Sequence, residues 1–119
     1  LFPAIWIAAW VFLFIMTHIP RVPDLGLPKD SDKVIHLVSY FTLAMLGGRV
    51  AMLNRRRFDR AWFTKWVLIY ALYAAFDELT QPMVGRVADW SDWIADVIGA
   101  AAALSVLRLT YGPGAGDVE

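Results

Sequence analysis

The sequence predicts an all-α fold: a polytopic membrane protein with four transmembrane helices in a small bundle. Three observations carry this. Of the 119 residues, 59% are hydrophobic and the mean hydropathy is +0.52, whereas ordinary soluble domains are roughly 45–50% apolar. The apolar residues fall into four blocks of the size that crosses a hydrocarbon core about 30 Å thick, which takes roughly 20 residues of helix. None of the blocks shows the polar stripe that a helix in a soluble bundle presents to water.

The first span is 2–19 and holds no formal charge. It has neither a basic start nor an Ala-x-Ala cleavage site, so it reads as a retained helix rather than a signal peptide. The second is 34–53, interrupted only by Arg49 near its end. The third is 62–79 and the fourth 90–109, both free of charge through the middle. The connections are a Pro-rich stretch over 20–33, a basic one over 54–61, and 80–89 with Pro82 and Gly85. Residues 1–111 make one domain. The Gly- and Pro-rich end, 112–119, reads as a flexible cytoplasmic tail.

Orientation follows from the basic residues near the helix ends. Arg49, Arg55, Arg56, Arg57, Arg60, Lys65 and Arg108 gather on one side, and Arg21, Lys29, Lys33 and Arg86 on the other. The richer side is expected to be cytoplasmic, with both termini inside. Most acids lie on the opposite side, and acids do not set topology. Their concentration there needs another cause.

Composition removes several function classes. With no cysteine, disulfides, thiolate catalysis, iron–sulfur clusters and thiolate zinc sites are excluded. A formal net charge of zero supplies no whole-molecule field for nucleic acid. Membrane lipids are the expected surroundings, and homo-oligomerisation stays open. Of the six tryptophans, Trp62 and Trp66 read as anchors at the inner interface and Trp90 and Trp93 at the outer one.

Helical spacing sorts the polar residues into stripes. Asp32, His36 and Tyr40 share one face of the second helix; Lys33 starts the same turn. Tyr73, Asp77 and Gln81 share a face of the third, with Glu78 turned about 100° away. Asp89, Asp92, Asp96 and Gly99 share a face of the fourth, and Arg86 lies in the connection before it. Three helices thus bring ionisable groups to one membrane depth, where such groups are costly and read as functional. Capping is the plainer reading for some of them: Asp89 as N-cap with Asp92 at N3, and Asp32 at the start of helix two. It does not cover Asp96, two turns in. Nor does it cover Asp77 and Glu78, which stand at a helix C-terminus where the dipole opposes negative charge. His18, at the end of helix one on the outer side, reads as an interfacial side chain, with joining the site as the alternative. Gly99 and Ala103 read as a close-packing face.

The combined pattern Asp32-Lys33-x-x-His36-x-x-x-Tyr40, then Asp77-Glu78-x-x-Gln81-x-x-x-x-Arg86-x-x-Asp89-x-x-Asp92-x-x-x-Asp96-x-x-Gly99, resembles the VanZ-like family of membrane proteins. The resemblance covers roughly 32–109. It implies a multi-pass protein of the bacterial cytoplasmic membrane with a cell-envelope role, since the founding member is associated with low-level resistance to the lipoglycopeptide teicoplanin. It implies no particular reaction.

Three functions follow as alternatives. In the first, a site near the outer leaflet binds an amphipathic envelope molecule, a lipid-linked glycan precursor or a lipoglycopeptide. Asp32, Lys33, Tyr40, Gln81, Arg86, Asp89, Asp92 and Asp96 are the binding residues. In the second, the site turns over a lipid-linked substrate, with Asp77 or Glu78 as general base and His36 as acid–base partner. In the third, the charges form a salt-bridge lock and the protein is structural or binds a partner. No cofactor is expected. No metal is assigned: a divalent ion on Asp92, Asp96 and His36 stays open as a minor alternative, since their spacing matches no recognised zinc motif.

Overall fold

The computed structural model describes residues 1–18, 31–85 and 88–112. Most of the Pro-rich connection, Arg86 and the tail from Pro113 onward lie outside the described residues, and with them Arg21, Lys29, Asp24 and Asp30. Among those described there are four α-helices and no strand: α1 (Phe2–Thr17), α2 (Ser31–Leu53), α3 (Arg60–Thr80) and α4 (Trp90–Tyr111). A short 3-10 turn, Gln81–Val84, follows α3 directly.

Local chemistry sets the boundaries. A proline lies in the first turn of α1, where its missing N–H costs nothing. The side chain of Asp59 accepts from the Trp62 N–H and caps α3. Asp89 caps α4 in the same way through Ser91. Gly85 ends the 3-10 turn at φ 79°, a left-handed conformation that glycine takes without penalty. Helix α2 begins three residues earlier than expected and so carries Asp32 and Lys33 into its first turn. Helix α1 is shorter than its expected span.

Contacts along the helices give an up–down–up–down order. Leu37 and Gly48 of α2 lie against Gly99 and Leu107 of α4, so these two run parallel. Trp93 of α4 reaches Ala71 of α3, and Arg108 reaches Phe63, so α3 runs the other way. Helix α1 runs with α3, its Trp6, Trp10 and Phe14 meeting Trp66, Tyr73 and Phe76 in turn.

The α2–α4 seam is the closest in the molecule. A Cβ on Gly99 would lie 2.2 Å from the Leu37 carbonyl oxygen, so only glycine lets the two backbones approach this far. Ala100 and Ala103 continue the seam fully buried, as the expected small-residue face requires. Tyr40, Leu43, Tyr70, Ala74 and Leu104 complete the core.

The outside of the bundle is apolar. All four helices expose large hydrophobic side chains, such as Ile7 and Phe12 on α1, Val34 and Val38 on α2, Leu68 and Leu72 on α3, and Ile98 and Leu109 on α4. Buried positions meanwhile hold Asp77, Glu78, Gln81, Asp92 and Asp96. This reverses the usual distribution of a soluble domain, where charged side chains are almost never fully buried. Asp32–Leu53 and Trp90–Tyr111 are each long and apolar enough to cross a membrane; α1 is a shorter apolar helix. Helix α3 has the length, but Lys65, Asp77 and Glu78 make it less apolar than those two.

The tryptophans make interhelical contacts besides. Only Trp90 is largely exposed. The Trp93 indole donates to the Ala71 carbonyl at 3.0 Å and ties α4 to α3. Trp66 packs edge-on against Trp6, and Trp62 tilts over Phe58. In so thin a bundle these rings fill space between helices that small residues leave open.

Candidate functional site

The N-terminal ends of α2 and α4 and the C-terminal end of α3 meet at one end of the bundle, with the last turn of α1 beside them. Helical spacing points Asp96 inward from the second turn of α4. It is fully buried, and its Oδ1 lies 2.7 Å from Nδ1 of His36 on α2. The other ring nitrogen of His36 is 3.7 Å from Asp92 Oδ2. Lys33, one turn up α2, holds its ammonium 3.4 Å from Asp89, 3.6 Å from Asp92 and 3.8 Å from Asp32.

Glu78 is fully buried and has a structural duty. Its Oε2 accepts the backbone N–H of Asp89 at 2.9 Å. Asp89 in turn accepts from the Ser91 N–H at 2.9 Å and the Ser91 hydroxyl at 2.6 Å. The reciprocal arm of the capping box expected from Asp92 therefore comes from Glu78 on another helix. The two Ser91 donors, and then the nearby Lys33, hold the Asp89 carboxyl below the usual carboxylate range.

Asp77 anchors a neighbouring group. It accepts from the Thr17 hydroxyl at 2.6 Å and from the Gln81 amide at 3.2 Å, and lies 3.5 Å from Nδ1 of His18. The other ring nitrogen of His18 is 2.6 Å from the Thr80 hydroxyl. His18 is thus turned into the bundle and stacked on Phe14, which favours its joining the polar end over a purely interfacial place. Thr17 was not foreseen at all. The available signal was weak: a Thr-His pair closing an otherwise apolar helix.

The expected site residues fall into place as follows. His36 meets Asp96 through one ring nitrogen and Asp92 through the other; Lys33 bridges Asp32, Asp89 and Asp92; Asp77 and Gln81 pair on the α1 side. Tyr40 is buried one turn below His36 and faces Tyr73. Of the three residues assigned to acid–base chemistry, His36 pairs with Asp96 rather than with Asp77 or Glu78. Arg86 lies outside the described residues.

The electrostatics are unbalanced. Four carboxylates, Asp77, Glu78, Asp92 and Asp96, are buried, and a buried charge without a partner is strongly unfavourable. Lys33 serves the rim. Among the described residues no Lys or Arg pairs with Glu78 or Asp96, and Glu78 Oε1 and Asp96 Oδ2 have no hydrogen-bond partner. Two sets of side chains bring candidate metal-ligand atoms within 4.8 Å of one another: His36, Glu78 and Asp96, and Asp32, Asp89 and Asp92.

At the opposite end lies a cavity of about 460 Å³, bordered by Trp6, Gly47, Trp62 and Trp66 with Arg56, Arg57 and Lys65 at its edge. The polar cluster itself is packed side chain against side chain.

The model of the VanZ/LLP1 family matches residues 3–111, which covers all four helices. Neither the curated proteins nor the solved structures yielded a match.

Proposed function

The chain belongs to the VanZ/LLP1 family, and on that premise we propose that it is a four-span protein of the bacterial cytoplasmic membrane whose polar end binds an amphipathic envelope molecule. Both termini face the cytoplasm in this reading, and the cluster of His36, Asp92, Asp96 and Glu78 faces the outer leaflet. The ligand class is a lipid-linked glycan precursor or a lipoglycopeptide such as teicoplanin. Membership of the family is consistent with a glycopeptide-resistance-associated role. The apolar exterior of all four helices supports four spans, because lipid is the solvent that tolerates it.

One observation carries the reading. Two helices, α3 and α4, bring buried carboxylates to one end of the bundle beside His36 of α2, and among the described residues there are fewer permanent cations than they need. Carboxylates and Gln81 would accept and donate to hydroxyl and amide groups of a glycan or peptide. Lys33 and Arg86 would meet a phosphate or carboxylate, and the exposed helix faces an acyl chain.

A salt-bridge lock is the second reading, favoured by the Glu78 cap on α4 and by the position of Lys33 among three aspartates. Asp96→Asn and Glu78→Gln separate the two, since each removes charge while keeping shape. Removing one partner of a buried pair costs about 3–5 kcal/mol, whereas a group held in unfavourable surroundings for function can be neutralised at little cost. At least one variant is expected to abolish teicoplanin protection in cells, or retention of a labelled lipoglycopeptide by the purified protein. Its Tm in detergent should stay within a few degrees of the parent. Activity lost only in proportion to folded protein, in both variants, would leave the lock.

A further inference from the structure

We propose that His36, Glu78 and Asp96 form a binding site for one divalent first-row metal ion, with zinc the best fit. The proposal rests on reading the cluster as a site, not on the identity of its envelope ligand. The three residues come from α2, α3 and α4, and their candidate ligand atoms lie within 4.8 Å of one another. Zinc bonds to nitrogen and carboxylate oxygen at about 2.0–2.2 Å, so small side-chain rotations bring all three into reach.

Two independent features point to a cation rather than to a tolerated acidic cluster. Glu78 and Asp96 are both 0% exposed, and each keeps one carboxylate oxygen, Oε1 and Oδ2, without a hydrogen-bond partner among the described residues. A buried polar atom left unpaired is costly. The second acidic set, Asp32, Asp89 and Asp92, offers the contrast. Asp92 Oδ1 likewise lacks a hydrogen bond, but a cation already stands beside it, since Lys33 Nζ lies within 3.8 Å of all three carboxylates. Among the described residues the inner set has no lysine or arginine beside it.

The surroundings suit ligation. The Asp89 N–H fixes Glu78 through Oε2, leaving Oε1 available. Nδ1 of His36 faces Asp96, while Asp92 stands 3.7 Å from Nε2, the side from which a carboxylate orients a ligating imidazole. A mixed set of one imidazole and two carboxylates suits zinc better than magnesium or calcium, which prefer oxygen alone. Three protein ligands leave a fourth position open, the arrangement of zinc sites that also accept a small molecule or substrate oxygen.

The test uses the full chain, purified in detergent and stripped with EDTA. Titration with zinc chloride, followed by desalting and elemental analysis, is expected to give one ion per chain, with no comparable binding of magnesium. Asp96→Asn and Glu78→Gln should each weaken zinc binding at least tenfold. Asp59→Asn, at the other end and still able to cap, should leave it unchanged. If the variants do not fold, the parent alone decides: cobalt(II) should give the visible bands of a low-coordinate site, and zinc should abolish them. A parent that binds no zinc, or lacks those bands, overturns the proposal. So does Asp32→Asn weakening binding as much as Asp96→Asn, which would move the ion to the outer set. Zinc failure with lipoglycopeptide retention intact removes the metal alone. Stoichiometric zinc without retention removes the envelope ligand alone.

Discussion

The two ends of the bundle use charge in opposite ways. At the basic end, Arg55, Arg56 and Arg57 stand exposed and the helices beneath them are separated by aromatic rings and a cavity of about 460 Å³. At the polar end, Asp77, Glu78 and Asp96 are at most 1% exposed and the helices are drawn together around them. A hydrated arginine is cheap to keep, and a basic loop is explained by topology alone. A dehydrated carboxylate is not cheap, and no topology rule calls for it. On the proposed reading, the difference separates residues that orient the protein from residues that bind once it is oriented.

The contrast breaks most visibly if the two ends do not lie on opposite sides of the membrane. The chain has no cysteine, so single substitutions report cleanly. An impermeant thiol reagent applied to intact cells should label Met83→Cys, a position 82% exposed, and should reach Arg57→Cys only after permeabilisation. Labelling of position 57 alone would place the polar cluster on the cytoplasmic side.

A smaller effect measures how tightly each end is closed. A Cβ at Gly99 would meet the Leu37 backbone at 2.2 Å, and one at Gly48 would meet the tip of the Leu107 side chain at 2.2 Å. A backbone cannot step aside without parting two helices, but a leucine tip can turn. Overpacking costs about 1–3 kcal/mol. Gly99→Ala is expected near the top of that range, at about 3 kcal/mol, and Gly48→Ala near its bottom, at about 1 kcal/mol, in reversible detergent unfolding. Equal losses would mean that both ends are equally closed.

The smallest effect concerns the cap at the polar rim. The carboxyl of Asp89 is held below its ordinary value of 3.8 by Ser91 and then Lys33. A depressed carboxyl contributes its full stabilisation above the unfolded pKa and loses it as pH falls through the lower folded value. The stability difference between the parent and Asp89→Asn should therefore be constant above about pH 4 and shrink below it. A difference unchanged down to pH 2 would show that the cap does not depend on the charge.

Much of the site was legible because it follows helical spacing. Asp32, His36 and Tyr40 align four residues apart, and Asp89, Asp92 and Asp96 three and four apart, so their faces were fixed once the segments were helices. The Gly99 seam was legible for the same reason. Contacts between helices were not. The pairing of His36 with Asp96, the return of Glu78 to the Asp89 N–H, and the entry of Thr17 and His18 beside Asp77 depend on how each helix is rotated about its axis, and spacing within one helix carries no information about that. The interhelical contacts of the tryptophans were not legible either, because a ring that suits an interface suits an interhelical gap equally well.

By itself the sequence determined an all-helical chain, the identity of its four apolar segments and the gathering of its acids at one end, since composition and periodicity act along the chain. Only the tertiary structure decided which acids share a histidine, which have Lys33, and which are left with bare oxygens. Those outcomes depend on distances of a few ångströms between helices, and there the cost of an unpaired buried charge changes most steeply with position.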